Sequence, residues 1–322
     1  MPDGNGLLAR LWPWLRQLTF YRRVSHLLWS ALAALVQLRR HRVHPAGVMR
    51  DTSQQTCCCQ PLVDEFQCAK FSLYHDQPAD FCRSQWQRGE RCFIWLIYRW
   101  LLAAFFAAGV IGSLVDQFNE GKWFIYLTDW GFSLCFYACA YGAILATIYF
   151  IRPSYFVSGS WALRIYWCSH FTTTVLALLI TLVFWTALYP SMSEGPVGLY
   201  NLWAHAFNSI CMLFDCFVVA FPTRLMHFIY PLAAGLVYGL FSLIYFWAGG
   251  TDFFGNRFIY FILDWERPGL AIGSVCGCIV LALFFCVLIF WIYRLRLWMH
   301  ERCSKTSSIE VRQTPTSGAE AA

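Results

Sequence analysis

Six long apolar segments fill most of the chain after residue 91. They cover residues 92–115, 123–151, 163–189, 199–221, 226–248 and 269–293. Each is long enough to supply the roughly 20 residues that a helix needs to cross a bilayer. Because no water reaches the backbone inside a bilayer, such segments satisfy their own polar groups by forming helices. The pattern predicts an all-α fold, a polytopic transmembrane bundle of about six helices.

Residues 1–91 contain no apolar run of this length. The longest run, 24–38, has about 15 residues, which is short for a span, and arginines flank it on both sides. Two interpretations stay open: a helix lying in the membrane interface or a secretory signal sequence. We predict a cytosolic N-terminal region at 1–91, a membrane domain at 92–298 and a disordered cytosolic tail at 299–322.

The distribution of basic residues predicts the orientation. Of the 24 Lys and Arg residues, 20 lie in the two terminal segments or in turns on their side of the bundle, and three lie in the other turns. The positive-inside rule therefore places both termini in the cytosol. The composition, 58% hydrophobic and 13% charged, is far from that of a soluble domain. No pattern of basic and aromatic residues indicates nucleic acid.

The positions of the cysteines agree with this predicted orientation. None of the 15 lies in a turn predicted on the outer side, so no disulfide is expected there. Cys57, Cys58 and Cys59 are consecutive and follow a basic segment, and either palmitoylation or ordinary free thiols would explain them. Three consecutive thiols cannot all point at one ion. We predict no metal site and no cofactor.

Two polar groups lie near the predicted outer ends of the second and fourth spans. Thr128 is followed by Asp129, and His205 lies about seventy residues further on. A rise of about 1.5 Å per residue puts Thr128 roughly 8 Å and His205 roughly 9 Å below the same surface. A hydroxyl and an imidazole at one depth in a dry site could act as nucleophile and general base on an acyl group.

The neighbours of this pair could support it. Asn208 and Ser209 share the helix face of His205 and could stabilise an oxyanion, whereas Asp129 points about 100° away from Thr128. The alternative is structural. Thr128 would then bond to its own backbone, and His205 would join two helices.

A second polar layer is predicted nearer the cytosolic side. It consists of Arg99, His170 and Asp215, one residue from each of three spans. Ionisable groups inside a membrane usually face the bundle interior and pair, so Arg99 is expected to pair with Asp215. The layer is either a structural tie or part of an ion path, and the second alternative would make the chain a transporter.

Several motifs between residues 66 and 298 form a specific set, although each is weak alone. They are Ser84-Gln85-Trp86, Tyr98-Arg99, Tyr126-Leu127-Thr128-Asp129-Trp130-Gly131, His205-Ala206-Phe207-Asn208-Ser209, the turn 222–231, Tyr245 with Gly249-Gly250, and Ile259-Tyr260 through Leu263-Asp264-Trp265 with Pro268. In these motifs the chain resembles the rolling stone family of multi-pass membrane proteins. That family takes its name from an insect protein linked to myoblast fusion, and the resemblance implies a membrane protein.

A remoter resemblance concerns chemistry. The androgen-induced family of membrane hydrolases cleaves fatty acid esters of hydroxy fatty acids, with a threonine after a Trp-x-x-Leu-like approach at the head of one helix and a histidine near the head of a later one. Thr128 and His205 match these positions. The resemblance implies that Thr128 is the nucleophile and His205 the base. The residues that follow depart from that family: Asp129-Trp130-Gly131 and Ala206-Phe207-Asn208.

Three functions are compatible with these observations. The first is hydrolysis of a lipid ester that enters from the bilayer. The second is a non-enzymatic role in cell adhesion or fusion through protein partners, whose identity the sequence does not indicate, with Phe253, Phe254, Arg257 and Tyr260 of the turn 249–268 available for contact. The third is transport. Membrane lipid surrounds the chain in each case, and the expected location is the plasma membrane or the endoplasmic reticulum.

Overall fold

The structure, a computed structural model, describes residues 60–191 and 198–313, with side chains as far as Ser304. The predicted interfacial segment 24–38 and Cys57 to Cys59 lie outside these residues. The all-α fold is confirmed, since the described chain contains helices and turns and no strand. The main helices are α1 Phe93–Gln117, α2 Leu127–Ile151, α3 Trp161–Val183, α4 at 199–218, α5 Ile229–Trp247 and α6 Pro268–Gln313.

Five helical stretches are long and apolar enough to cross a membrane. They are Phe93–Gln117, Leu127–Ile151, Trp161–Ser191, Leu225–Trp247 and Pro268–Ser304. In the third stretch, α3 continues through the π-helical turn Phe184–Leu188. These stretches make the chain an integral membrane protein.

The predicted fourth span, α4, is less regular and more polar than the others. It consists of Leu199–Leu202, the π-helical turn Trp203–Phe207 and Asn208–Val218. It is not among the five apolar stretches, because buried polar side chains occupy the face that it turns towards the bundle. The predicted six spans are therefore five apolar helices and one polar helix.

Two helix boundaries differ from those predicted. α2 begins at Leu127, not at residue 123, because Tyr126 has an extended backbone, with φ −88° and ψ 130°. The preceding 3-10 stretch Asn119–Ile125 begins with three residues of positive φ: Asn119 at 35°, Glu120 at 55° and Gly121 at 85°. α6 continues to Gln313, past 293 and into the segment predicted as a disordered tail. Residues 314–322 lie outside the described chain.

Both ends of the described chain lie at one end of the bundle, which we call the inner end. Ser84, before α1, forms an antiparallel bridge with Val219, just after α4. The Trp86 indole donates to the Phe217 carbonyl at 3.1 Å, and its ring lies 6.0 Å from that of His300 near the end of the described side chains of α6. An even number of crossings follows, so α4 crosses the bundle with the five apolar helices.

The opposite end, the outer end, is covered by residues 249–267, which we call the outer loop. Lys122 donates to the Asp252 carbonyl at 2.7 Å. The ring of Tyr126 stacks on Phe253 with centroids 4.9 Å apart. The outer loop therefore packs directly on the segment that leads into α2.

Candidate functional site

Thr128 lies at the head of α2, beneath the outer loop. It is the second residue of the helix and is half-buried. Its backbone N–H donates to the Tyr260 hydroxyl at 3.4 Å, and its side-chain hydroxyl also interacts with that phenol. Burial raises the pKa of Tyr260 to about 12. A phenol with that pKa keeps its proton at neutral pH, so Tyr260 cannot act as the base that activates Thr128.

Asp129 is buried beside this contact, with 8% of its surface exposed. Its backbone N–H donates to the Tyr126 carbonyl at 3.1 Å, and its carboxylate lies within electrostatic range of Tyr126 and Tyr260. Within the described residues, the carboxylate has no hydrogen-bond donor.

His205 lies in the π-helical turn of α4 and is buried. Its ring stacks on Phe184 of the other π-helical turn, with centroids 3.5 Å apart and planes within 1° of parallel. The indole of Trp185 donates to the His205 carbonyl at 2.8 Å. Nδ1 has no partner among the described residues. Both π turns, features that often occur at functional positions, therefore meet at His205.

Asn208 and Ser209 form a separate hydrogen-bonded group with α3. The Thr181 hydroxyl donates to the Asn208 side-chain oxygen at 3.2 Å and is in short contact with the Ser209 hydroxyl. Ser209 also donates to the Ala177 carbonyl at 2.9 Å. Within the described residues, no side-chain hydrogen bond joins either residue to His205, so these contacts give Asn208 and Ser209 a structural role between α3 and α4.

The predicted catalytic pair is not joined by a hydrogen bond within the described residues. Thr128 is bonded to Tyr260, and His205 packs on Phe184 and Trp185. The equal depth predicted for Thr128 and His205 requires α2 to begin at residue 123, and this helix start is wrong, because α2 begins at Leu127. The catalytic role of Thr128 and His205 stays a prediction.

The second polar layer is a connected network centred on Asp215. Arg99 donates to its two carboxylate oxygens at 2.7 and 2.8 Å, which is the pairing that the sequence predicts. The His170 ring nitrogen Nε2 lies 2.8 Å from Oδ2, and the Tyr98 hydroxyl donates to Oδ1 at 2.9 Å. Arg99 also donates to the Tyr166 hydroxyl at 2.6 Å. The network ties α1, α3 and α4 together.

The network is dry, because Arg99, Asp215 and His170 are each at most 2% exposed. Taking two charges out of water is expensive unless hydrogen bonds satisfy both partners. Asp215 accepts four such bonds, and the Arg99 guanidinium also lies 5.3 Å from the Trp95 ring centroid. Gly142 of α2 makes room for Arg99, because a Cβ there would overlap Nη2 of the guanidinium.

Tyr166 was not predicted as a member of this network, and Tyr98 was noted only as part of the motif Tyr98-Arg99. Tyr166 lies four residues before His170, and residues four apart share one helix face, so that spacing was an available signal. It was weak, because the chain has 16 tyrosines.

A buried arginine was also missed. Arg296 of α6 lies just beyond the last predicted span, 269–293, and was counted among the basic residues of the cytosolic side, yet it is fully buried. Its guanidinium donates to the carbonyls of Cys216 and Phe221, both at 2.8 Å. It satisfies carbonyls at the C-terminal end of α4, where a cation also interacts favourably with the helix dipole.

The two polar regions are separated by apolar packing. Met212 lies between His205 and Asp215 on α4 and is fully buried. It belongs to an apolar cluster with Phe106, Phe132 and Cys139, and the Cys139 sulfur lies 3.9 Å from that of Met212. Among the residues of known position, no chain of hydrogen bonds joins the two regions through this cluster. Among the described residues, no group of three His, Cys, Asp or Glu side chains could hold a metal ion.

Comparison with known proteins identifies the family. The family model described as "Protein rolling stone" matches residues 54–310. The chain belongs to the rolling stone family. It is 36% identical over 250 residues to the "Protein rolling stone" of Drosophila melanogaster, in an alignment that covers 74% of this chain and 90% of the relative. No solved structure matches the chain.

The rolling stone match includes both polar regions and the outer loop, since Arg99, Thr128, His205, Asp215 and residues 249–267 all lie within 54–310. The multi-pass membrane character expected from the resemblance is confirmed by the five apolar helices.

Proposed function

We propose that this rolling stone family member is a non-enzymatic membrane protein that acts through a protein partner bound at its outer loop, in cell adhesion or cell fusion. The observation that carries the proposal is Phe254, an aromatic side chain that is 87% exposed at the tip of the outer loop. Aromatic and arginine side chains dominate the binding energy of protein interfaces. The Arg257 guanidinium lies nearby along the loop, 5.0 Å from the Phe246 ring centroid.

The conformation of the loop tip is defined by Asp252. Its Oδ1 atom accepts from the backbone N–H groups of Phe254 at 2.9 Å and Asn256 at 2.8 Å. Gly255, at φ 85°, allows the chain to turn between them. A tip that is already ordered loses less conformational entropy when a partner binds.

The remaining contacts of the loop anchor it to the bundle. Phe253 and Tyr260, which the sequence made available for contact, instead pack on Tyr126, and the Tyr245 hydroxyl donates to the Thr251 carbonyl at 3.0 Å. Of the four side chains that the sequence predicts for contact, a partner could therefore reach Phe254 and Arg257.

The buried polar groups give less support to the other two functions. Thr128 contacts a phenol rather than an imidazole, and the apolar cluster around Met212 lies between the two buried polar regions. The partner-based function needs neither a nucleophile nor a path.

Changing Phe254 to alanine should weaken partner binding about 30-fold or more, since loss of a central aromatic side chain costs about 2 kcal/mol or more. The measurement is adhesion and fusion of cells that express the full chain, at matched surface levels. Phe124→Ala is the matched control, because Phe124 is a half-exposed aromatic residue at the same end but outside the loop. Equal activity of both variants and the native chain would rule out Phe254 as a contact residue.

Labelling with a fluorophosphonate tests the hydrolase hypothesis directly. Our proposal expects no labelling that depends on Thr128, because the described contacts provide no base for its hydroxyl. Membranes with the native chain, Thr128→Ala and His205→Ala should label equally at equal expression. Thr186→Ala is the control, in which an exposed threonine of another helix is removed. Labelling of the native chain that both Thr128→Ala and His205→Ala abolish would replace our proposal with an acyl-transfer enzyme.

A further inference from the structure

We propose that the inner end of the bundle binds the phosphate of an anionic phospholipid headgroup beside Tyr293, between Arg224 and Arg294, with Arg296 behind them. Arg224 precedes α5, and the other three residues lie on α6. This site is at the opposite end from the outer loop, and the proposal does not depend on the function proposed above.

The first observation is a pair of unsatisfied donors. The Nε–H groups of Arg224 and Arg296 are both buried, and neither has an acceptor among the described residues. Arg296 itself is fully buried, and its other nitrogens already donate to carbonyls. An unsatisfied buried donor costs about 1–3 kcal/mol, so acceptor oxygens are expected close to these arginines.

The second observation is the balance of charge around Tyr293. The Arg296 guanidinium carbon lies 5.1 Å from the Tyr293 ring centroid. Two further arginines, Arg224 and Arg294, and one carboxylate, Glu65, lie within electrostatic range of the same tyrosine. The Glu65 carboxylate forms salt bridges with two cations: its Oε1 atom lies 3.3 Å from Nζ of Lys70 and 3.9 Å from Nη1 of Arg224. The Tyr293 hydroxyl makes no hydrogen bond within the described residues. An excess of guanidinium groups beside an available hydroxyl suits a phosphate, which accepts several charge-assisted hydrogen bonds.

The third observation points to a lipid as the source of the phosphate. Trp291 and Trp298 of α6 are 40% and 55% exposed, and Arg294, also exposed, lies three residues after the first and four before the second. This spacing places all three on one helix face. Tryptophans on the surface of a membrane helix usually lie at headgroup level, so Arg294 is at the depth of lipid phosphates.

The charge distribution favours the same leaflet. The inner end is the one that the basic residues predict to be cytosolic, and cytosolic leaflets carry anionic lipids that basic residues near the membrane attract. At the outer end the cations have partners within the chain: Arg257 lies 3.7 Å from Glu266, and Arg267 lies 3.6 Å from Asp264. Those arginines therefore provide controls of equal charge.

The test measures lipid binding to the purified full chain in neutral detergent micelles. The probes are dioctanoyl phosphatidylserine, dioctanoyl phosphatidylcholine and inorganic phosphate, and the readouts are the unfolding midpoint and the lipid retained in native mass spectra. We expect phosphatidylserine to bind and raise the midpoint, and phosphatidylcholine and inorganic phosphate to have much weaker effects. Arg294→Gln and Arg224→Gln should each weaken phosphatidylserine binding about tenfold, which is about 1.4 kcal/mol, and Arg267→Gln should leave it unchanged.

Three results would overturn the proposal. They are equal binding of phosphatidylserine and phosphatidylcholine, equal binding of inorganic phosphate, and an equal loss in Arg267→Gln. Arg224→Gln also removes the contact with Glu65 and could loosen the inner end. If Arg224→Gln lowers the unfolding midpoint without lipid, Arg294→Gln is the variant that tests lipid binding. Arg294 is exposed, so its substitution should leave that midpoint unchanged.

Discussion

Replacing Asp215 with alanine is expected to lower the free energy of unfolding by about 3–5 kcal/mol, because a buried guanidinium is left without its counter-ion. Asp215 accepts hydrogen bonds from Arg99, Tyr98 and His170, with distances between 2.7 and 2.9 Å. It is fully buried, so water cannot replace the carboxylate. Thermal unfolding in detergent micelles should show a midpoint lower by about 6–20 °C.

The matched control is Asp116→Asn, which removes an exposed carboxylate at the outer end of α1 and should have little effect. The double variant Arg99→Met with Asp215→Leu removes both charges, so it shows how much of the loss in Asp215→Ala comes from leaving Arg99 unpaired. It should be more stable than Asp215→Ala, because replacing both members of a buried pair with apolar residues removes the unpaired charge. The single variants Arg99→Met and Asp215→Leu complete the cycle. If their effects on the free energy of unfolding add up to that of the double variant, the pair is not energetically coupled, and the central role of Asp215 is wrong.

Gly142→Ala is expected to lower the free energy of unfolding by about 1–3 kcal/mol, because overpacking of a filled site forces side chains out of position. The added Cβ would overlap Nη2 of Arg99 and would lie 2.7 Å from the Tyr166 hydroxyl. The Arg99 side chain cannot move away cheaply, since Asp215 and Tyr166 both hold it. The measurement is again the unfolding midpoint in micelles.

Gly273→Ala on α6 is the control for this prediction. A Cβ at Gly273 has nothing within 4 Å, and alanine in place of glycine favours a helix by about 1 kcal/mol. The two substitutions are chemically identical and should therefore change stability in opposite directions. If Gly142→Ala stabilises the protein as much as Gly273→Ala does, the space beside Arg99 is larger than the structure indicates.

For the polar layer, the depth of a residue along its helix was enough to predict which charged side chains pair. Arg99 and Asp215 pair as expected, because each residue's depth follows from its distance to a helix end and charged groups inside a membrane seek partners. The depth of Thr128 could not be predicted in this way, because the helix does not start where the apolar run starts. The 3-10 stretch that ends at Ile125 and the extended backbone of Tyr126 delay the start of α2, and hydrophobicity carries no signal for that break.

The outer loop shows a second limit. Tyr260 contacts Thr128 although 132 residues separate them in the chain, and no local pattern predicts which side chain of a loop will fold back over a helix. Arg296 was misjudged for a related reason. A basic residue after an apolar run is usually cytosolic, but the carbonyls at the end of α4 provide acceptors that keep it buried.

The sequence by itself determined the fold class and, for the described residues, the approximate positions of the apolar helices. These depend on the length and apolarity of each segment, and the fixed thickness of a bilayer converts both directly into spans. Only the tertiary structure decided which polar groups meet. That choice depends on the rotation of each helix about its axis and on the path of each loop, and both are set by contacts between residues far apart in the chain. The network around Asp215, the Tyr260 contact of Thr128 and the arginines around Tyr293 are all of this kind.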